Sequence, residues 1–330
     1  MRTLRVATAG LTAAQVEGRV LCHDVGPGLR KGARLGASHL TLLRELDEVH
    51  LADLEPGDLG EDEAARRLAA AIAGPGSRAG DPVQSQVRLA ATHRGLLRVS
   101  REAVERLNAI DTVNVFTLVD GQAVDEGEQV AGCKVTPVAV PASVVEEAER
   151  VAAECVPVFE ILPFRRLRTF VVATERLKPK AREIFQRVVT RKLDWYGADL
   201  LEIRQVARTG AAIRQAYTAA REAGADLVLF AGASSIDPLD PAHTELEAVG
   251  GRVLRTGAPA HPGSMLWLGA LQETTVLGIA SCAGFGKETA LDLILPLVFA
   301  HGRAAAADFA RLGYGGLVEK AAGRRFPSYG

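Results

Sequence analysis

The sequence predicts an α/β protein: a C-terminal three-layer α/β/α domain with a mainly parallel sheet, preceded by a mixed α+β, β-rich N-terminal region. Three observations carry this reading. Short, nearly continuous apolar runs occur at 168–174, 225–232 and 274–280, the form expected of strands buried on both faces. From about residue 166 such runs alternate with segments of helical periodicity. Before that point the apolar runs alternate with polar residues and are cut by Asp-Gly and Glu-Gly turn pairs instead.

Taken in order, "TLLRELDEVHLADL" reads as a helix, a turn and a strand. "GEDEAARRLAAAIAG" reads as a helix with acidic residues in its first turn, where the macrodipole favours them. Residues 74–86, rich in Gly, Pro and Ser, read as a loop, and 113–141 as a series of strands. "RTFVVAT" opens the C-terminal pattern. The helices "KAREIFQRVVTRKLDWYG" and "GAAIRQAYTAAREAG" then flank the strand "ADLLEIRQV". "ADLVLFAG", "PAHTELEAVGG", "RVLRTG", "TTVLGIA" and "ETALDLILPLVFAHG" continue as strand, helix, strand, strand and helix. The expected organisation is a region over 1–165, divisible into two subdomains, and a domain over 166–330 that ends in a tail.

Composition narrows the function. Lys and Arg number 39 against 40 Asp and Glu, so the basic excess of a nucleic-acid binder is absent. The four cysteines, Cys22, Cys133, Cys155 and Cys282, show no C-x-x-C spacing, which argues against a zinc site and for a reducing compartment. No apolar run reaches membrane-spanning length, and no N-terminal stretch has signal-peptide form. A cytoplasmic protein with no membrane partner is expected.

Ligands of open parallel sheets bind beyond the carboxyl ends of the strands. The loops after Thr174, Gly232 and Ala280 should therefore lie together. "ASCAGFGKE" at 280–288 has the outline of a phosphate loop, but position 281 is Ser where Gly is required, and Glu288 stands where Ser or Thr should hold magnesium. A weaker anion site built on small residues, free amides and Lys287 survives that test, beside the alternative of a plain turn. In "FAGASSIDPLDPAHTE", Gly232, Ser234 and Ser235 suit an anionic group. Asp237 and Asp240 could hold a divalent cation such as Mg2+ and serve catalysis. The competing reading makes Asp237 a turn residue and Asp240 the cap of a helix that starts with Pro241. "GAPAHPGSMLWLG" is a stiff loop in which His261 or Ser264 could face a pocket, with Met265 and Trp267 as an apolar wall. Thr174-Glu175, at the end of the first buried strand, offers a hydroxyl.

Together these loops resemble the molybdopterin-binding fold of molybdenum-cofactor biosynthesis, the family of molybdopterin adenylyltransferases and molybdotransferases. That family reads "DLVITSGGxSxGxxD", then "PGxP", then "GLPGNP"; here the segments are "DLVLFAGASSIDPLD", "HPGSM" and "VLGIASCAG". The likeness is closer to molybdopterin-binding proteins sometimes joined to a cofactor cytidylyltransferase domain. Those carry "GASAI", "PGNLLLLG", "PGCARSPK" and "DIAxxGVGGL" where this chain has "GASSI", "PGSMLWLG", "ASCAGFGK" and "DFARLGYGGL". The resemblance implies a protein that binds molybdopterin or molybdenum cofactor in biosynthesis or delivery, with adenylyl- or molybdotransferase activity where the catalytic parts are present. It places Gly232, Ser234 and Ser235 on the loop that contacts the pterin or its phosphate. Asp240 falls on the loop aspartate, Pro262 and Gly263 on the Pro-Gly loop, and Cys282 and Lys287 on the last loop. It further implies a homo-oligomer and, as partner, a molybdoenzyme or another cofactor-biosynthesis protein.

The chain departs from the family at Ala233, at Ile279-Ala280-Ser281, and in "QVARTG", which lacks the usual acidic residue. A nucleotide pyrophosphohydrolase on the same fold and a non-catalytic regulatory or scaffold module stand as alternatives.

Overall fold

The computed structural model describes residues 1–26, 28–174 and 177–318, with the side chains of Ser281 and Cys282 outside that description. The chain divides into two compact units. The first comprises Met1–His93, Leu97–Asp120 and Glu126–Ile161; the second comprises Arg94–Leu96, Gly121–Asp125 and the chain from Leu162 onward.

In the first unit, Arg2–Ala7, Glu48–Asp53 and Val20–Leu21 form a three-stranded antiparallel sheet. Leu21, Leu43, Val49 and Leu51 are buried in the cluster associated with it. A four-stranded antiparallel sheet runs in the order Ser77–Ala79, Gln86–Ala91, Gln129–Val135, Val113–Thr117. The sequence presents 74–86 as a loop, yet Ser77–Ala79 is an edge strand; three residues are too few to show an alternating pattern. Helices Glu61–Ile72 and Ala142–Glu154 pack together, joined by a two-pronged Arg67–Glu149 pair at 2.9 and 2.7 Å. Cys22, Cys133 and Cys155 are free thiols, and burial pushes Cys133 up to about 12, which keeps it protonated and unreactive.

The second unit carries a six-stranded sheet. Its elements in chain order are β1 (Arg168–Ala173), α1 (Pro179–Trp195), β2 (Asp199–Gln205), α2 (Gly210–Glu222), β3 (Leu227–Ala231), α3 (Pro241–Ala248), β4 (Arg252–Arg255), β5 (Trp267–Leu271), β6 (Thr274–Ile279), α4 (Ala290–His301) and α5 (Ala306–Arg311). The strand order is β2-β1-β3-β6-β5-β4. Ladders β2–β1, β1–β3 and β3–β6 are parallel; β6–β5 and β5–β4 are antiparallel. The sequence shows an apolar re-entry within 257–269 behind a stiff loop and carries no strand signal there. It becomes β5, turned back into β6 through Gln272 with φ 54°.

The parallel strands are apolar on both sides because helices cover both faces. On one face Val171, Leu229, Leu277 and Ile279 meet Phe185, Val189 and Leu193 of α1 and Leu291, Ile294 and Leu295 of α4. On the other, Phe170, Val172, Val228, Phe230 and Val276 meet Ile213, Ala216 and Tyr217 of α2 and Ala242 and Leu246 of α3. Trp267 belongs to this second core and is fully buried, so it is packing and not the wall of a pocket. It sits directly across the ladder from Gly278, whose added Cβ would come within 1.6 Å of the Trp267 Nε1. Glycine at 278 is therefore required by a side chain laid over its backbone. Gly278→Ala should lower stability by about 2 kcal/mol or more through overpacking, read as a reduced urea midpoint.

Candidate functional site

Three parallel strands end level. Ala173 of β1 lies opposite Ala231 of β3, which in turn lies opposite Ile279 of β6. The chain leaves the sheet at Thr174, Gly232 and Ala280, so the loops that follow start side by side. Thr174 is buried, and both its amide (3.0 Å) and its hydroxyl (3.3 Å) donate to the Ala231 carbonyl. Its hydroxyl is thus occupied in tying two strand ends together. Glu175 lies outside the described residues.

The loop after β3 turns at Gly232, whose φ of +96° favours glycine. Its shape is set from beneath by Asp240, which is only 1 % exposed. Asp240 Oδ1 accepts from the Ala242 amide at 2.9 Å, capping α3, and Oδ2 accepts from the Ser234 amide at 2.9 Å. Oδ2 also accepts from Arg208, which stands in the loop between β2 and α2. Burial raises the Asp240 pKa, but the Ala242 and Ser234 amides and then Arg208 outweigh it and hold the group below its ordinary value. Both expectations for Asp240 met in the sequence thus bear on one atom set, and the capping geometry is the one present.

Ser235 donates its hydroxyl to the Met265 carbonyl, linking this loop to the Pro-Gly loop. Among the described residues the amides of Ala233, Ser235 and Ile236 donate to no partner. Asp237 is exposed; its Oδ1 accepts from Leu239 N at 2.9 Å and its carbonyl from Asp240 N at 3.1 Å, a self-contained turn.

The Pro-Gly loop is held against the start of α4. The Pro262 carbonyl accepts from Ala290 N at 2.9 Å. Gly263, at φ +104°, approaches so closely that a Cβ would stand 2.7 Å from Ala290 N. Ser264 is exposed and its carbonyl accepts from Ala258 N at 3.0 Å. The exposed His261 pairs through its backbone with the segment after α5: it donates to the Gly316 carbonyl (2.7 Å) and accepts from Val318 N (2.8 Å).

The last loop forms a single-turn helix over Ser281–Phe285 and turns at Gly286, φ +83°. Cys282 contributes its backbone there; its side chain lies outside the described residues. Lys287 is exposed and makes no ion pair among the described residues. Asp292 closes the capping box of α4, whose N-cap is Thr289: Oδ2 accepts from Thr289 N at 2.8 Å, and Oδ1 from Lys192 Nζ at 2.5 Å in a buried pair. Apolar surface at this end of the unit comes from Ile236 and Leu239, each 78 % exposed, and from Phe285, rather than from Trp267.

Hydrogen bonds and one close approach therefore bring Thr174, Gly232, Ser234, Ser235, Asp240, Pro262 and Gly263 into one connected set. Asp237 and Ser264 point outward from it. Arg208, Lys192 and Asp292 went unread in the sequence. The rule that found the other loops reaches Arg208 too, since it follows the carboxyl end of β2; Lys192 is one of five basic residues on α1, and nothing local sets it apart from Lys180, Arg182, Arg187 and Arg191. As a metal centre the set fits poorly: Asp240 has all its oxygens engaged, and among the described residues no group of three or more His, Cys, Asp or Glu is placed to hold an ion.

No family model matches the chain, and no curated protein matches it. Among solved structures it is similar to MogA (22% identity over 42% of this chain and 96% of that one, TM-score 0.30). It is likewise similar to the molybdopterin biosynthesis Mog protein of Mycobacterium ulcerans (18%, 42% and 97%, TM-score 0.30). The molybdopterin biosynthesis MoeA protein of Pyrococcus horikosii matches over more of the chain (14%, 78% and 81%, TM-score 0.31). At such identities and TM-scores the likeness carries no argument about activity, which has to come from this chain's own residues.

Two outcomes follow from the buried carboxylates. Because the folded-state pKa of Asp240 is depressed, its stabilisation is present above the unfolded value of about 3.9 and is lost as pH falls through the lower folded value. The gap in urea midpoint between wild type and Asp240→Asn should be full at neutral pH and close below about pH 4. Asp292→Ala removes a carboxylate partner of the buried Lys192 and the reciprocal arm of the capping box at the start of α4, and should cost about 3 kcal/mol or more in urea unfolding.

Proposed function

We propose that this protein binds molybdopterin or molybdenum cofactor and serves its biosynthesis or delivery, with the ligand's phosphate at the 232–236 loop. The observation that carries the reading is the set of amides at Ala233, Ser235 and Ile236 that have no partner among the described residues, on a loop anchored by Asp240 at the level ends of three parallel strands. Backbone amides fixed in this way suit a phosphate. Gly232 gives the loop its turn, Ser235 fastens it to the Pro262–Gly263 loop, and the exposed Lys287 adds a positive charge. Exposed Ile236, Leu239 and Phe285 offer apolar contact to a fused ring. The resemblance of "GASSI", "PGSMLWLG" and "ASCAGFGK" to molybdopterin-binding proteins supplies the ligand class.

Within this reading the chain holds and hands on the cofactor rather than transferring adenylyl or molybdate groups to it. Transfer needs a metal-bound carboxylate, and Asp240 would have to surrender its three donors to become one. Asp240 is then a positioning residue for the loop, and Asp237 is the carboxylate with a free face. Delivery calls for a receiving partner, a molybdoenzyme or another protein of cofactor biosynthesis. Among the described residues no helix is long and apolar enough to cross a membrane.

Protein purified from a host that makes the cofactor should release a fluorescent pterin on oxidation, identified by mass. A pterin-free preparation that also fails to bind phosphorylated pterin on titration counts against the reading. Lys287→Ala should weaken that binding by about 3- to 10-fold with no change in thermal midpoint, because the side chain is exposed and makes no ion pair among the described residues. Incubation with ATP, magnesium and molybdopterin should yield no adenylylated product.

A further inference from the structure

Arg208 has a place in this unit that neither the sequence motifs nor the proposed pocket uses. It stands after β2, immediately before Thr209, whose side chain caps α2. Helices α2 and α3 lie against the same sheet face and are joined by the Tyr217 hydroxyl on the Ala242 carbonyl (2.9 Å) and by the Arg214–Glu245 pair (2.6 Å). Arg208 makes a third tie, from one Nη to Asp240 Oδ2. Its two ends differ in burial: the carboxylate side chain is 1 % exposed and the guanidinium side chain 50 %. Among the described residues its remaining N–H groups have no partner.

This arrangement decides what can neutralise a ligand's phosphate. A magnesium ion needs near-octahedral oxygen ligands with free lone pairs. Asp240 Oδ2 already takes the Ser234 amide and Arg208, and Oδ1 takes the Ala242 amide. A cation docking on Oδ2 would have to expel the guanidinium and then sit beside it, a like-charge contact. The segment "QVARTG" that supplies Arg208 is also where the family resemblance expects an acidic residue and this chain has none. In that segment the only charged side chain is a positive one, Arg208.

We propose that Arg208 supplies, without magnesium, the positive charge that binds the anionic group of the ligand at the 232–236 loop. One Nη of the planar guanidinium donates to Asp240, which tethers the group beside the loop. The outward edge donates to a phosphate oxygen, alongside the amides of Ala233, Ser235 and Ile236. A ligand meets the guanidinium first and the carboxylate only from behind, so the ion pair attracts an anion although its formal charges cancel. The proposal rests on reading this loop as an anion site, and it extends that reading by naming the counter-charge.

The test is a calorimetric titration of the full-length protein with two probes, inorganic pyrophosphate and a phosphorylated oxidised pterin, each in EDTA and in excess magnesium. Wild type should bind both probes equally in the two buffers. Arg208→Gln should weaken both about 10- to 100-fold, the span of a charge-assisted hydrogen bond; Arg208→Lys, which keeps the charge and can still reach Asp240, should fall between. Binding that appears only with magnesium overturns the proposal, and this arm needs no variant, so it stands even if Arg208→Gln fails to fold. A folded Arg208→Gln that binds like wild type overturns it too, as does wild type that binds neither probe. Pyrophosphate binding without pterin binding, metal-independent and lost in Arg208→Gln, upholds the Arg208 site while removing molybdopterin as the ligand.

Discussion

The register of one parallel ladder governs the second unit. Ala173, Ala231 and Ile279 stand opposite one another, so three chain exits occur at one height. Parallel strands of this kind need both faces covered, and α1 with α4 and α2 with α3 provide that cover. A slip of one residue along β3 would exchange Val228 and Phe230 with Leu227 and Leu229 between two differently shaped cores. It would also carry Gly232 and the loop behind it out of line with Thr174. The loops converge because the cores do not permit another register.

Two buried carboxylates then give the loops their form. Asp240 and Asp292 each sit at the start of a helix, each accept backbone amides there, and each face a basic side chain from another element, Arg208 in one case and Lys192 in the other. A charge so deeply placed is tolerated only when paired and hydrogen-bonded. Satisfying Asp240 engages the Ser234 amide, while among the described residues the amides of its neighbours Ala233, Ser235 and Ile236 donate to no partner. The open amides are thus a by-product of a helix cap. The same step links the capping and ligand-binding readings of "SSIDPLD": the residue that closes the turn also shapes the loop proposed to hold the anion. At two other places glycine removes an obstacle, Gly263 beneath the start of α4 and Gly278 beneath Trp267.

Much of the second unit was legible because its signals are local. Continuous apolar runs marked β1, β3 and β6, Pro241 and Asp240 marked the start of α3, and Gly197 and Gly224 follow α1 and α2 with φ of +72° and +66°. The strand β5 was harder, since a short apolar run behind a loop with two prolines, Pro259 and Pro262, reads equally as a pocket wall; pairing with β6 settles it. In the first unit, the short edge strand Ser77–Ala79 takes its conformation from the neighbour it pairs with. Ala123–Val124, amid a β-rich stretch, pairs instead with Gly95 and Leu96 in the second unit. Neither pairing has a period that sequence can display.

By itself the sequence determined the alternation of strands and helices after residue 166 apart from β5, the burial of the central parallel strands, and which loops leave their carboxyl ends, because periodicity, caps and turn residues act over a few positions. Only the tertiary structure decided that Trp267 is core, that Asp240 is neutralised by Arg208, and that Lys192 lies under Asp292. Those outcomes depend on side chains 32 and 100 residues apart meeting in a medium where an unpaired charge cannot remain.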